Sequence, residues 1–215
     1  MTQLTQSVRL EFADDIALIR IDNPPVNALS HHVRQGLLDG MKQAESSEAS
    51  AIVLICDGRT FIAGADITEF SGPPMPPSLQ SAQDAMENCT KPVVAAVHGT
   101  ALGGGLEVAL CAHYRVGSPS SQYGLPEVKL GLLPGAGGTQ RLPRVTGAEK
   151  ALQMMTSGDP ISAEEALACG LIDEIAEELE AGAIAFARRA VSESFPLLRI
   201  RDRNDKLSDV SSDLF

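Results

Sequence analysis

The stretch from Pro92 to Ala112 constrains this chain more than any other. It is long and apolar enough to imitate a membrane span, yet it carries Glu107 and the glycines Gly99, Gly103, Gly104 and Gly105. Its start is β-branched (Val93, Val94) and its end helix-like. A lipid-spanning helix tolerates neither the glycine run nor the carboxylate well, so the stretch reads as a buried strand, a glycine turn and a buried helix. A second continuous apolar run, Ala51 to Cys56, reads as another strand covered on both faces.

The rest of the chain alternates in the same way. Val8–Phe12 and Ile16–Ile21 are β-favouring runs separated by Ala13-Asp14-Asp15, a hairpin pattern. Ser30 can cap a helix whose apolar positions Val33, Leu37, Met41 and Ala44 recur at helical spacing. Further helices are expected over Leu79–Cys89, Leu106–Ala112, Gly147–Thr156, Ser162–Cys169 and Glu177–Ser192, the fourth with a capping box of Ser162 and Glu165. Short strands are expected over Tyr114–Gly117 and Leu171–Ile175. Ser71–Pro77, rich in proline, suits either a domain linker or a surface loop beside a site; prompt return of the alternation favours the loop. The tail from Pro196 to Phe215 is polar and has no core pattern of its own. Such alternation implies an α/β or α+β layer fold.

With 44% hydrophobic residues but only 4% aromatics and no Trp, the core must be filled by Ala, Leu, Val and Ile. Seventeen Lys and Arg against 28 Asp and Glu give a net charge of -11, which argues against nucleic acid as a partner. Any phosphate-bearing ligand needs a locally basic site. Cys56, Cys89, Cys111 and Cys169 form no CxxC pair and read as reduced thiols. Residues 1–15 lack a basic start followed by an apolar block, so no secretory signal is expected. Together these features predict a cytoplasmic protein without membrane contact.

Four elements carry chemistry. Gly103-Gly104-Gly105 lets a backbone approach a ligand and opens a helix whose first N–H groups lack partners; a tight turn is the plainer alternative. The third glycine of a dinucleotide fingerprint is replaced by Val108, and no Gly-Lys pair exists for a phosphate loop. Glu107 is the only Asp, Glu, Lys or Arg between Lys91 and Arg115; it is either a functional buried carboxylate or a wetted helix-start residue. Glu127, set among Leu125, Pro126 and nearby glycines, is either a partly desolvated acid or an exposed partner of Lys129. The Ala65 N–H can serve as a donor to an oxyanion, while Asp66 can equally cap a short helix.

In this order the elements resemble the crotonase (enoyl-CoA hydratase/isomerase) superfamily, from about Val8 to Ile175. Asn27-Ala28-Leu29, Ala63-Gly64-Ala65-Asp66, His98-Gly99 through Glu107, and Leu125-Pro126-Glu127 through Arg141 carry the likeness. The wording of Gly124–Gln140 and of Arg201–Leu207 is similar to the N-terminal hydratase/isomerase part of multifunctional β-oxidation enzymes.

The resemblance implies a crotonase-like ββα spiral superhelix, with two roughly perpendicular sheets flanked by helices. It assigns the catalytic pair to Glu107 and Glu127, the oxyanion hole to the N–H groups of Ala65 and Gly104, and orientation of water to Gly135. Substrate and CoA contacts fall on Ala28, Arg59, Ala63, Asp66 and Ile67. Pro24 and Thr68 stand where many relatives carry a lysine near the CoA phosphates, while Arg59 keeps basic character.

The implied reaction is hydration of a trans-2-enoyl-CoA to a 3-hydroxyacyl-CoA, with 3-enoyl isomerisation as a second activity. It needs no metal and no cofactor, coenzyme A being part of the substrate. Alternatives are an isomerase alone, another CoA-ester reaction on this fold, or a non-catalytic acyl-CoA-binding module. Residues 1–190 form the expected domain, and 191–215 a helical or linker segment trimmed from a longer multifunctional chain. The expected partners are further copies in a homotrimer, or a dehydrogenase part of that longer chain.

Overall fold

The computed structural model describes residues 1–73 and 75–207. Pro74 of the proline-rich loop and residues 208–215 of the expected C-terminal segment lie outside that description.

The chain opens with β1 (Thr2–Thr5), β2 (Val8–Ala13) and β3 (Ile16–Ile21), an antiparallel meander. Then come α1 (His31–Ser46), β4 (Ala51–Cys56), α2 (Leu79–Glu87), β5 (Val93–Val97), β6 (Thr100–Leu102), α3 (Gly104–Ala109), β7 (Tyr114–Gly117) and β8 (Gln122–Gly124). The remainder is α4 (Gly138–Thr146), α5 (Ala148–Ser157), β9 (Ile161–Ser162), α6 (Ala163–Cys169), β10 (Glu174–Ile175) and α7 (Leu179–Ser192).

Two sheets result. The larger runs β1-β2-β3-β4-β5-β7-β10, parallel from β3 onward; the smaller runs β6-β8-β9. The continuous apolar runs follow from burial of both faces of the large sheet. Ile19, Ile52, Leu54, Val93 and Ala95 face the main core with Leu37 and Met41 of α1. Their neighbours Leu18, Val53, Ile55, Val94 and Ala96 face Ala183, Phe186 and Ala187 of α7. Alternation of side chains across a pleat turns one unbroken hydrophobic string into two cores.

Several expectations are refined. Ser30 occupies the cap position of α1, but its side chain makes no capping hydrogen bond. Ser162 does cap α6, accepting from the Glu165 N–H. The last strand shrinks to Glu174–Ile175, because Leu171 and Ile172 turn into the main core. Lacking an apolar period, the tail is nonetheless held by single contacts. Ile200 is buried in the main core, and the Lys206 ammonium donates to the carbonyls of Val145 and Cys169.

Candidate active site

The site forms where β6, α3 and the segments around Ala65 and Glu127 meet. Gly103 adopts φ 52° and ψ -125°, a backbone conformation that disfavours any side chain, and a methyl group there would lie 3.2 Å from Glu127 Oε1. A Cβ at Gly105 would stand 2.0 Å from the Ile62 carbonyl oxygen, so α3 packs directly on that backbone. Close approach of two backbones explains a glycine run better than a turn alone.

Leu29 bridges Ala65 in parallel, its N–H donating to Gly64 at 2.9 Å, which fixes the Ala65 peptide. A methyl at Gly104 would lie 3.8 Å from the Ala65 nitrogen, so the two expected donors are neighbours. A cavity of about 170 Å³ contains both, and its lining includes Ala63, Ile67, Glu127 and Leu130. Beside it, a cavity of about 350 Å³ shares Ala65 and is bounded by Arg34, Asp66, Met75 and Leu79. The proline-rich segment is therefore a loop walling a site.

Glu107 is 2% exposed, on the first turn of α3. Its Oε1 accepts the N–H groups of Ala136 at 2.7 Å and Gly138 at 2.8 Å. Burial raises its pKa, opposed by those two amides and by the Arg141 charge. Glu127, half-buried at the start of a short 3-10 helix over residues 126–130, also has a raised pKa, chiefly through burial and further through the charge of Glu107. Glu127 Oε2 is buried with no hydrogen-bond partner among the described residues. Lys129 pairs instead with Asp159 at 2.6 Å, against the alternative in which Glu127 is its exposed partner.

The remaining expected residues divide. Asp66 lines the larger cavity while its carboxylate accepts from the N–H and hydroxyl of Thr68 at 3.0 and 2.7 Å, so it caps that turn at the cavity wall. Ile67 is exposed at the cavity rim. Ala28 precedes Leu29 and offers its carbonyl to the Asn23 side chain at 2.9 Å. Arg59 is exposed and lines a separate cavity of about 230 Å³ with Val26 and Ala63. Gly135 lies exposed on the loop before Ala136.

Sequence reasoning did not single out the Ala136 and Gly138 amides, nor Gln83, Glu87 and Arg141 behind them. Gln83 and Glu87 are wholly buried on α2 beside Ala82 and Met86. A polar pair on an apolar stripe was the available signal.

Two desolvated carboxylates beside neighbouring main-chain amides are an arrangement that can move protons and stabilise a developing negative charge, the chemistry of one class of protein. The sequence profile of the enoyl-CoA hydratase/isomerase family matches residues 11–201, and the chain belongs to that family.

Among its relatives, the peroxisomal bifunctional enzyme of Danio rerio is 48% identical over 86% of this chain and 26% of its own length. A probable enoyl-CoA hydratase of Bacillus subtilis is 39% identical over 86% of this chain and 78% of its own. The crystal structure of enoyl-CoA hydratase from Mycobacterium tuberculosis superposes with a TM-score of 0.79 at 36% identity, covering 85% of this chain and 75% of that one. The two sheets with flanking helices are thus the crotonase fold. The chain spans about a quarter of the length of the multifunctional relatives it matches.

Proposed function

We propose that this chain hydrates trans-2-enoyl-CoA thioesters to 3-hydroxyacyl-CoA in fatty-acid β-oxidation. One observation carries the reading. A buried Glu107 and a half-buried Glu127, each with a raised pKa, accompany a cavity lined by Ala65, Gly104 and Glu127.

In this reaction the thioester carbonyl accepts from Ala65 N–H and Gly104 N–H, which draws electron density from the double bond as water adds. Glu107, deprotonated, takes a proton from water as its oxygen bonds to the β-carbon. Glu127, protonated, delivers a proton to the α-carbon as the enolate collapses. The Gly135 N–H would orient the water. Ala28, Ala63, Asp66 and Ile67 would contact substrate, and Arg59 would meet a CoA phosphate. No metal or cofactor enters the proposed steps.

A second activity, shifting a 3-enoyl double bond to the 2-position, is compatible with Glu127 lining the cavity. That reaction needs one proton carrier.

Among the described residues no helix is long and apolar enough to cross a membrane. The free thiols Cys56, Cys89, Cys111 and Cys169 support a reducing compartment such as the cytoplasm. Exposed Leu130, Leu132 and Leu133 support burial against another copy in a homotrimer, or against a further part of a longer chain such as a dehydrogenase.

The test is loss of enoyl-thioester absorbance with crotonyl-CoA. Glu107→Gln and Glu127→Gln should each lower kcat by about 10²–10⁴-fold while thioester binding survives. Wild-type turnover in both variants would reject the assignment.

A further inference from the structure

The carboxylate of Glu107 is oriented by the amides of Gly138, the first residue of α4, and of Ala136, on the loop just before it. Three buried side chains hold that loop. The Arg141 guanidinium meets Glu87 in a two-pronged pair, Nε to Oε1 at 2.7 Å and Nη2 to Oε2 at 2.9 Å. Its remaining nitrogen, Nη1, donates to the Ala136 carbonyl at 3.0 Å. Gln83 Nε2 donates to that same carbonyl at 2.9 Å and to the Glu107 carbonyl at 3.3 Å. Arg141 is 5% exposed, Glu87 1% and Gln83 0%. From the tail, Arg201 also reaches Glu87 Oε2, at 3.3 Å.

Ala136 is therefore gripped by its carbonyl while its own N–H points at Glu107 Oε1. We propose that Arg141, braced by Glu87 and assisted by Gln83, is a positioning residue for Glu107, fixing the amide clamp that aims its carboxylate. Only the planar fork of arginine can satisfy both Glu87 oxygens and a third acceptor together. A pair that merely stabilised the fold would have no need of two donors converging on the residue that orients a reactive carboxylate. The inference rests on the hydratase reading for its effect on turnover, but not for its effect on the carboxylate itself.

Two variants test it. Arg141→Lys keeps the charge but loses the fork; Gln83→Met keeps the buried ion pair and shape but removes one grip on Ala136. Each should lower kcat on crotonyl-CoA about 10–100-fold with KM nearly unchanged. A second readout needs no turnover: the Glu107 side-chain carbon followed by NMR through a pH titration, its signal identified by Glu107→Gln. With the clamp loosened, the amides that favour the ionised form weaken, so Glu107 should titrate at higher pH in both variants.

If Arg141→Lys fails to fold because Glu87 is left underpaired, Gln83→Met still decides the matter. An idle wild type overturns the hydratase reading alone, and the titration then judges the clamp. A folded variant with the wild-type titration, or a loss confined to KM, overturns the positioning role.

Discussion

At the scale of single residues, function and stability pull against each other at Glu107 and Glu127. Both carboxyls hold their protons more tightly in the fold than an ordinary glutamate, because burial penalises the charged form. A raised pKa means that the folded state binds the proton better than the unfolded chain. The resulting stabilisation is complete below the ordinary glutamate value of about 4.3 and is lost as pH rises through the folded value. Near neutrality, then, ionised Glu107 works against the fold. Glu107→Gln should melt several degrees above wild type at pH 7, and the gain should vanish below about pH 4, where both side chains are neutral. Thermal unfolding at the two pH values checks this; a variant less stable at pH 7 would show that the amide clamp outweighs desolvation. In the proposed hydration the same shifts place the acid limb of the rate profile above the usual carboxylate range, since Glu107 must lose its proton before it can take one from the attacking water.

Elements divide by how locally they are determined. β3, β4 and β5 were legible because their apolar strings exceed what one face can use, and α1 because Val33, Leu37, Met41 and Ala44 share a stripe. The small sheet was not legible. β6 and β8 have three residues each and β9 two, too few to show a period, and only chain segments far apart complete them. The start of α3 was placed at Leu106 rather than Gly104, because glycine is a poor helix former and only packing on Ile62 selects helix there. Glu107 and Glu127 stood out as charges in apolar surroundings, whereas the partner amides of Glu107, on a loop and on the first residue of α4, approach it in a way no local pattern announces. The α3 contact itself can be tested. Gly105→Ala forces a Cβ against the Ile62 carbonyl, so α3 must shift and carry Glu107 with it. We expect a loss of about 1–3 kcal/mol in urea unfolding together with a fall in kcat. Unaltered stability and rate would mean that α3 floats free of that backbone.

Across the whole molecule, the two cores are unequal in how they are closed. One face of the large sheet is sealed by α7 through Ala183, Phe186, Ala187 and Ala190. The opposite side is covered by α1 and by several shorter helices, and helix ends expose unpaired carbonyls. Lys206 resolves two of these at once: its ammonium reaches Val145 in the last turn of α4 and Cys169 at the end of α6, the latter at 2.7 Å. A cation at two helix C-termini is favoured by both dipoles as well as by the hydrogen bonds. Lys206→Met keeps much of the side chain's length but removes the charge and the two hydrogen bonds it donates, so the cost should be about 1.5–3 kcal/mol, the usual range for a hydrogen bond to a charged group. Since Lys206 touches neither Glu87 nor the loop that clamps Glu107, kcat per folded molecule should stay at the wild-type value. Chemical denaturation beside a crotonyl-CoA assay separates the two effects. A fall in kcat without a fall in stability would mean that the tail governs the site itself rather than the docking of α4 on α6.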